Sequence, residues 1–422
     1  MDRVLRWIEP DSIDPATILV ILSPVSKTLR NQYVAVQNCL AALLLSDTQG
    51  VKRMERRKFM TAAGAAGIAA GAAAASSFPK PAISQGRMEW SMVTTWPKNF
   101  PGLGTGAEIV ADYITRMSDG RLSVKVYGAG EIVPAFESID AVSSGTVEMG
   151  HGAPYYWKGK VPASQYLAAM PFGMTAQEQN AWYQYGGGQE LGDEIYAEMG
   201  CKFFPSGNTG VQMGGWFNKE INGVDDFKGL KMRMPGLGGE VIKAAGATVV
   251  NLPGGELLAA MQTGAIDAME WVGPYNDLAF GIYKVAQYYY YPGWHEPATT
   301  LDCFVNLEKY NALPDDLKAI VTAANTVANQ LVLSEFMARN NDSLQKLINE
   351  HNVDARPYPD SLLQELGRIS GELMTEFMNQ DPLSKKVGSS IVNFRKGALA
   401  WTKFSEQTFT AARSLPFPYV QL

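Results

Sequence analysis

The sequence predicts an α/β protein of two similar lobes, with a ligand cleft between them and a helical C-terminal region. Three observations carry that prediction. Strand, helix, strand, helix and strand signals follow one another from Glu89 to Gly150, and the same order returns from Leu230 to Trp271. Two stretches, AVSSGTVEM at 141–149 and AMQTGAIDA at 260–268, also share one pattern: helix end, glycine, small residue, Val or Ile, acid. A supersecondary unit that recurs about 119 positions later implies two α/β lobes. Such lobes form their ligand crevice at the carboxyl ends of the strands.

The elements follow in order. Glu89–Thr95 alternates and is rich in β-formers, which predicts a strand ended by Trp96-Pro97. A helix is expected from about Thr105 to Met117, with Ile109, Val110, Tyr113, Ile114 and Met117 on one face. After the Asp119-Gly120 turn, Arg121–Tyr127 reads as a strand, Pro134–Ser143 as a short helix closed by Gly145, and Val147–Gly150 as a strand. In the second unit, Leu230–Met234 is a strand stopped by Pro235 and Gly239–Ala245 a helix. Ala247–Asn251 is a strand, Pro253-Gly254-Gly255 opens a helix through Met261, and Ala265–Trp271 is a strand. The C-terminal third is helical: Pro314 to about His351, Pro359 to about Met378, and about Leu383 to Phe404. No linker separates the lobes, so the chain is expected to cross between them more than once.

Residues 54–86 begin with Arg56-Arg57-Lys58, continue into an alanine-rich apolar run and end in small residues near Ala82-Ile83-Ser84. That is the order of a secretory signal, with a twin-arginine character in Arg56-Arg57-Lys58-Phe59-Met60. The run from Ala62 to Ala75 is too short for a membrane span, which needs roughly 20 apolar residues. Residues 1–53 precede this signal and read as a mis-called N-terminal extension, with Met54 the first residue. Residues 54–84 are then a signal peptide removed on export, and neither stretch enters the fold argument.

The whole chain of 422 residues carries a formal net charge of −6, which argues against a nucleic-acid partner, since phosphate needs a basic face. Its three cysteines, Cys39, Cys201 and Cys303, have no metal-ligand spacing. A Cys201–Cys303 disulfide and two buried free thiols both satisfy the sequence. Three scattered histidines make no zinc motif. Gly102-Leu103-Gly104-Thr105-Gly106-Ala107 fits a dinucleotide fingerprint, but Pro97 and Pro101 lengthen the loop and no acid ends the next strand. A loop whose helix N-terminus faces the cleft is the plainer reading.

Four places carry chemistry. Arg233 ends a strand on the side opposite Leu230, Met232 and Met234; its guanidinium either holds a carboxylate through two parallel donors or makes a surface salt bridge. Glu270-Trp271 ends another strand, and the acid either points into the cleft or is a buried, paired structural group. Aromatic residues concentrate near acid in Tyr288–Glu296, and in His151–Trp157 after the matching strand of the first lobe. There is no nucleophile–base pair, no Gly-x-Ser-x-Gly and no cysteine in a basic setting, so the chain is expected not to be an enzyme. The rival reading, an exported metal-dependent hydrolase or oxidoreductase, lacks a general base or redox group.

At these residues the sequence resembles the substrate-binding subunits of TRAP (tripartite ATP-independent periplasmic) transporters over nearly all of residues 86–422. The family's Lys-Gly-Leu-Lys-x-Arg string stands here as Lys228–Arg233, and its helix–Gly–x–Ile–Asp joint at 260–267. A finer likeness is to the branch that binds 2-oxo or 2-hydroxy acids with a metal cation. It rests on Gln212-Met213-Gly214-Gly215-Trp216-Phe217, Glu270-Trp271 and Trp294-His295-Glu296. The resemblance implies that Arg233 takes the ligand carboxylate. Gln212, Glu270 and Trp271 surround the ion and ligand, Glu296 stands nearby, and Tyr155 or Tyr156 closes the first lobe. A hard cation ligated by carboxylate, amide and carbonyl oxygens would neutralise Glu270 and an anionic ligand buried beside it; sodium and calcium both suit. The implied molecule is a periplasmic receptor for a small monocarboxylate such as pyruvate or lactate, delivered to the membrane subunits of a TRAP transporter. A dicarboxylate or sugar acid is the alternative ligand. The implied organisation is 86–209 plus about 297–335 as lobe I and 210–296 plus about 336–380 as lobe II. Residues 381–422 form a C-terminal helix that pairs two protomers in a homodimer or folds back on its own lobe.

Overall fold

The computed structural model describes residues 86–419. The extension at 1–53 and the export signal at 54–84 lie outside the described residues. Among the described residues no helix is long and apolar enough to cross a membrane.

In the first lobe β1 (Met88–Thr94) pairs in parallel with β2 (Leu122–Tyr127) and with β3 (Met149–Gly152). Helices Gly104–Met117 and Ser138–Ser143 make the crossovers. The first buries Val110, Ala111 and Ile114, while Met117, expected on the same face, lies in the last turn beside Asp119-Gly120 and is exposed. Two strands that sequence reading missed complete the sheet: β4 (Cys201–Asn208) and, further along the chain, β10 (Thr300–Asn306), in the order β2-β1-β3-β10-β4. Both are buried on two faces and mix polar with apolar residues, so they carry no alternation to read.

The second sheet contains β5 (Gly215–Phe217), β6 (Lys231–Arg233), β7 (Thr248–Val250), β8 (Ala268–Met269), β9 (Tyr288–Tyr291) and β11 (Asp354–Pro357). Its order is β11-β9-β5-β8-β6-β7, with β6 parallel to β7 and to β8. The segments β2-β1-β3 and β7-β6-β8 are therefore one motif built twice. The shared nine-residue pattern has a physical cause. Gly145 and Gly264 leave their helices at φ 75° and 70°, where a side chain would be strained. Val147 and Ile266 then plug the core. The acid that follows turns back to the neighbouring strand: Glu148 accepts from the Ser91 amide at 2.9 Å, and Asp267 from the Lys231 amide at 3.0 Å. The strand expected over Ala265–Trp271 shrinks to β8, because Asp267 is spent on this tie and Glu270-Trp271 lie beyond the strand end.

The chain crosses between the sheets three times, as two extended crossings from β4 to β5 and from β9 to β10, and again from β10 to β11 through a long helix. The two crossings run side by side, Thr209 N donating to Thr299 O at 3.1 Å, Gln212 N to Glu296 O at 3.2 Å and Gly293 N to Gln212 O at 2.8 Å. Helix Asp315–Asn349 spans both lobes. Its Val321, Ala324 and Ala328 pack with helix Gly104–Met117, and its Val332, Phe336 and Leu347 with Trp271 and Leu257. The Gly102–Gly106 element is not a phosphate cradle: a Cβ on Gly104 would sit 2.5 Å from the Pro97 carbonyl, and one on Gly102 2.7 Å from the Phe336 ring. These glycines answer to close packing. Cys201 and Cys303 are free and buried; Cys303 lies opposite Phe204, and Cys201 opposite Asn306, so the pair is out of register for a bridge.

Candidate binding site between the lobes

Arg233 ends β6 and is 1% exposed, which removes the surface-salt-bridge reading. Lys231, two residues earlier, is exposed and bonds the Gly264 carbonyl instead. The Arg233 Nη1 donates to Glu270 Oε2 at 2.9 Å and to the Glu270 carbonyl at 2.5 Å, while Glu270 N donates back to the Arg233 carbonyl at 3.1 Å. The guanidinium also lies 5.1 Å from the centre of the Trp271 ring, close enough for cation–π attraction.

The crossings bring the remaining groups. Glu296 Oε2 accepts from Gln212 Nε2 at 2.8 Å and from the Thr299 hydroxyl. Gln212 Nε2 also lies 3.2 Å from Thr209 Oγ1 and 3.0 Å from Thr299 Oγ1. His295 Nε2 stands 3.7 Å from Glu270 Oε1, and Glu270, His295 and Glu296 have donor atoms within 4.8 Å of one another. All of these side chains are buried. Burial pushes both carboxylates up to about 7; Arg233 opposes this at Glu270, and the Glu270 charge adds to it at Glu296. Burial pulls His295 down to about 4, against the pull of Glu296, so its imidazole is neutral at pH 7.

The first lobe supplies the cover. Tyr155 and Tyr156 sit in the turn Pro154–Trp157 that follows β3. A Cβ on Gly236 would lie 3.2 Å from the Tyr155 ring, so this tyrosine rests on the start of helix Gly236–Ala244 in the other lobe. Trp96 sets its edge against Trp271 at 6.1 Å and lies 6.0 Å from the Tyr156 ring. Its indole N–H donates to His151 Nδ1 at 2.9 Å. Burial raises both phenols, Tyr156 to about 12, and both feel Glu296, Glu270 and Arg233. An ion pair, Lys158 Nζ to Glu240 at 2.8 Å, and a bond from Asn276 Nδ2 to the Pro101 carbonyl at 2.9 Å close the lobes on each other.

The structure thus gathers Gln212, Arg233, Glu270, Trp271, Glu296, Tyr155 and Tyr156 at one place. His295, between Trp294 and Glu296, joins this group unforeseen, as do Thr209, Thr299 and Trp96, which belong to no sequence motif. Two oxygens, Glu270 Oε1 and Gln212 Oε1, are buried without a hydrogen-bond partner among the described residues, as are Trp271 Nε1 and both ring nitrogens of His295. Unpartnered buried oxygens are costly, and one on an amide and one on a carboxylate, with a second carboxylate, that of Glu296, nearby, fit a hard cation. Trp271 has only its backbone carbonyl to offer an ion, since its indole N–H is a donor.

The sequence profile of bacterial extracellular solute-binding protein family 7, DctP, matches residues 92–381. The chain belongs to this family. A monocarboxylate 2-oxoacid-binding periplasmic protein of Nostoc sp. is 44% identical over 322 residues, covering 76% of this chain and 88% of the relative. A TRAP periplasmic solute-binding protein from Pseudoalteromonas atlantica, solved with bound sodium and pyruvate, is 44% identical and superposes with a TM-score of 0.76, covering 78% of this chain and 100% of that one. Another, from Bordetella bronchiseptica, is a dimer with copurified calcium and picolinate in its active site; it is 34% identical, with a TM-score of 0.75 over 78% of this chain and 100% of its own. The two-lobed architecture of this DctP protein is thus that of TRAP solute-binding proteins.

Proposed function

We propose that this DctP protein is the periplasmic receptor of a TRAP transporter for a small 2-oxo acid, pyruvate or a near analogue, held together with a sodium or calcium ion. One observation carries the reading: the buried Arg233–Glu270 pair with the unpartnered oxygens Glu270 Oε1 and Gln212 Oε1 beside it. Arg233 takes the ligand carboxylate. Glu270 and Gln212 hold the ion with the Trp271 carbonyl, and Glu296 orients the Gln212 amide. The ion supplies a positive charge that relieves Glu270 and Glu296 and polarises the 2-oxo group. Tyr155 and Tyr156 cover the ligand. One guanidinium against two carboxylates suits a single carboxylate better than a dicarboxylate. The residues act as holders throughout, which supports a receptor rather than an enzyme.

Three further assignments go with this reading. The lobes comprise 86–209 plus about 297–335, and 210–296 plus about 336–380, in keeping with β10 joining the first sheet and β11 the second. Export to the periplasm is supported by the kinship with periplasmic relatives, and replacing Arg56 and Arg57 together by lysine tests the twin-arginine route. Residues 381–422 serve a homodimer. Helix Pro382–Thr402 folds its first half onto its own chain, with Val387 and Ile391 buried and Trp182 Nε1 donating to Ser390 at 3.1 Å. Phe394 is partly buried in that contact, while Leu399, Trp401 and Phe404 are exposed. Light scattering on the full chain and on one lacking 385–422 tests this, and a full-length monomer rules it out.

The ligand assignment is tested by thermal melting with pyruvate, before and after removal of cations. A ligand at a hundred times its Kd stabilises by about 2.7 kcal/mol. Pyruvate should raise Tm only with cation present and be recovered unchanged. No stabilisation by any 2-oxo or 2-hydroxy acid overturns the reading, and consumption of the acid replaces it with an enzyme.

A further inference from the structure

Each wall of the cleft is fastened to its lobe by a buried aspartate that takes the indole N–H of a tryptophan and the hydroxyl of a tyrosine. In lobe II this is Asp277, in helix Pro274–Phe280. Its Oδ2 accepts from Trp216 Nε1 at 2.9 Å and Tyr289 OH at 2.6 Å, and its Oδ1 from the Val272 amide at 3.3 Å. Trp216 and Tyr289 are register partners on β5 and β9, stacked with centroids 4.0 Å apart. Val272 follows Glu270-Trp271 directly, and its carbonyl accepts from the Met213 amide at 3.0 Å, next to Gln212. One carboxylate thus reaches the segments of both Glu270 and Gln212.

In lobe I the same role falls to Asp302, on β10. Its Oδ2 accepts from Trp157 Nε1 at 2.9 Å and from the Tyr196 hydroxyl. Trp157 ends the turn that carries Tyr155 and Tyr156, and Asp302 lies opposite Gly152, the last residue of β3. Both aspartates are fully buried, and neither has an ion-pair partner among the described residues. An unpaired buried carboxylate is costly, and a stacked Trp–Tyr contact by itself needs none. What a carboxylate adds is a fixed meeting point for donors from separate segments, each bond polarising the others.

We propose that Asp277 and Asp302 are positioning residues for ligand capture, Asp277 setting the cation side of the cleft and Asp302 its aromatic cover. The proposal rests on the function given above. It separates the two sites by what each should change.

The test is calorimetry on the full chain: calcium, with a parallel sodium series, titrated without acid, then pyruvate titrated at saturating cation, with Tm followed alongside. Asp277→Asn keeps the size but puts an N–H where an acceptor stood; cation affinity should fall at least tenfold. Asp302→Asn should leave cation affinity within twofold and weaken pyruvate at least fivefold. Should either fail to fold, Trp216→Phe and Trp157→Phe each remove one donor and leave the carboxylate; they should move the same two titrations, in the same directions, at least threefold. Variants that only lower Tm, with both titrations as in wild type, overturn the proposal. Wild-type protein that binds neither cation nor pyruvate overturns the underlying function, and this inference with it.

Discussion

The motif β1-β2-β3 of one lobe and the motif β6-β7-β8 of the other share order, joint and acid-to-amide tie, and differ where they end. Aligning the two joints sets His151 against Glu270. It also sets Val93, the register partner of Gly150, against Arg233, the partner of Met269. One frame therefore ends in a neutral imidazole holding a tryptophan, the other in a carboxylate holding a guanidinium. The difference divides the labour. In the proposed reading lobe II recognises charge, and lobe I covers it and excludes water, which strengthens the charge interactions it encloses.

Glu270→Gln makes the hardest test of that division. It keeps size and hydrogen bonding but removes the ion's main charge, so cation affinity should fall on the order of a hundredfold, about 2.7 kcal/mol. Added cation should no longer restore pyruvate binding. His151→Gln, at the matching position, should change cation affinity by no more than about threefold. Calorimetric cation titrations decide it, and equal losses from both would break the comparison. If Glu270 instead acts as a neutral acid donating to the ligand, Glu270→Gln should bind nearly as well and metal removal should not matter. Arg233→Lys comes next. A point charge cannot replace a planar fork, so affinity for every bound acid should drop at least about tenfold, near 1.4 kcal/mol. Unchanged calorimetric affinity would sink that assignment.

The two strand ends should also respond to pH with opposite sign. Burial lowers His151 to about 4 from an ordinary value of 6.5. Its contribution is present above pH 6.5 and is lost as pH falls toward 4. Glu270 is raised from 4.5 to about 7. Its contribution is present below pH 4.5 and is lost as pH rises through 7. In chelated protein, melting across pH 4–8 should show both arms. His151→Gln should reduce the acid arm, which the equally lowered His295 shares, and saturating cation should flatten the neutral arm, which Glu296 shares with Glu270. A cation that leaves the neutral arm untouched would count against the ion site.

Much of this was legible in the sequence, and the limits have physical causes. The repeated joint could be read because glycine, apolar plug and acid each do local work within nine residues. β4 and β10 could not, since strands buried on both faces have no alternation. Arg233 and Glu270 were found from motif and strand-end position, yet their mutual bond was not foreseen, because Val93 and His151, at matching places, make none like it. The hydroxyls of Thr209 and Thr299 gain meaning only when the two crossings lie side by side, 90 residues apart in sequence.

The smallest effect should come from a half-buried ion pair that ties the lobes together. Lys158 follows the Tyr155–Trp157 turn and meets Glu240 on helix Gly236–Ala244, with side chains 35% and 29% exposed. A solvated ion pair contributes roughly 0.2–1 kcal/mol, and salt screens it. Lys158→Ala should therefore weaken pyruvate only about two- to fivefold, mainly through faster release, because the pair forms when the lobes shut. Stopped-flow release should show that difference at low salt and lose it near 1 M, where the screening length is about 3 Å. Cation affinity should stay as in wild type, since Lys158 touches none of the groups assigned to the ion. A large, salt-independent loss would mean that Lys158 acts inside the cleft, and lobe I would then no longer be the neutral partner that the comparison makes it.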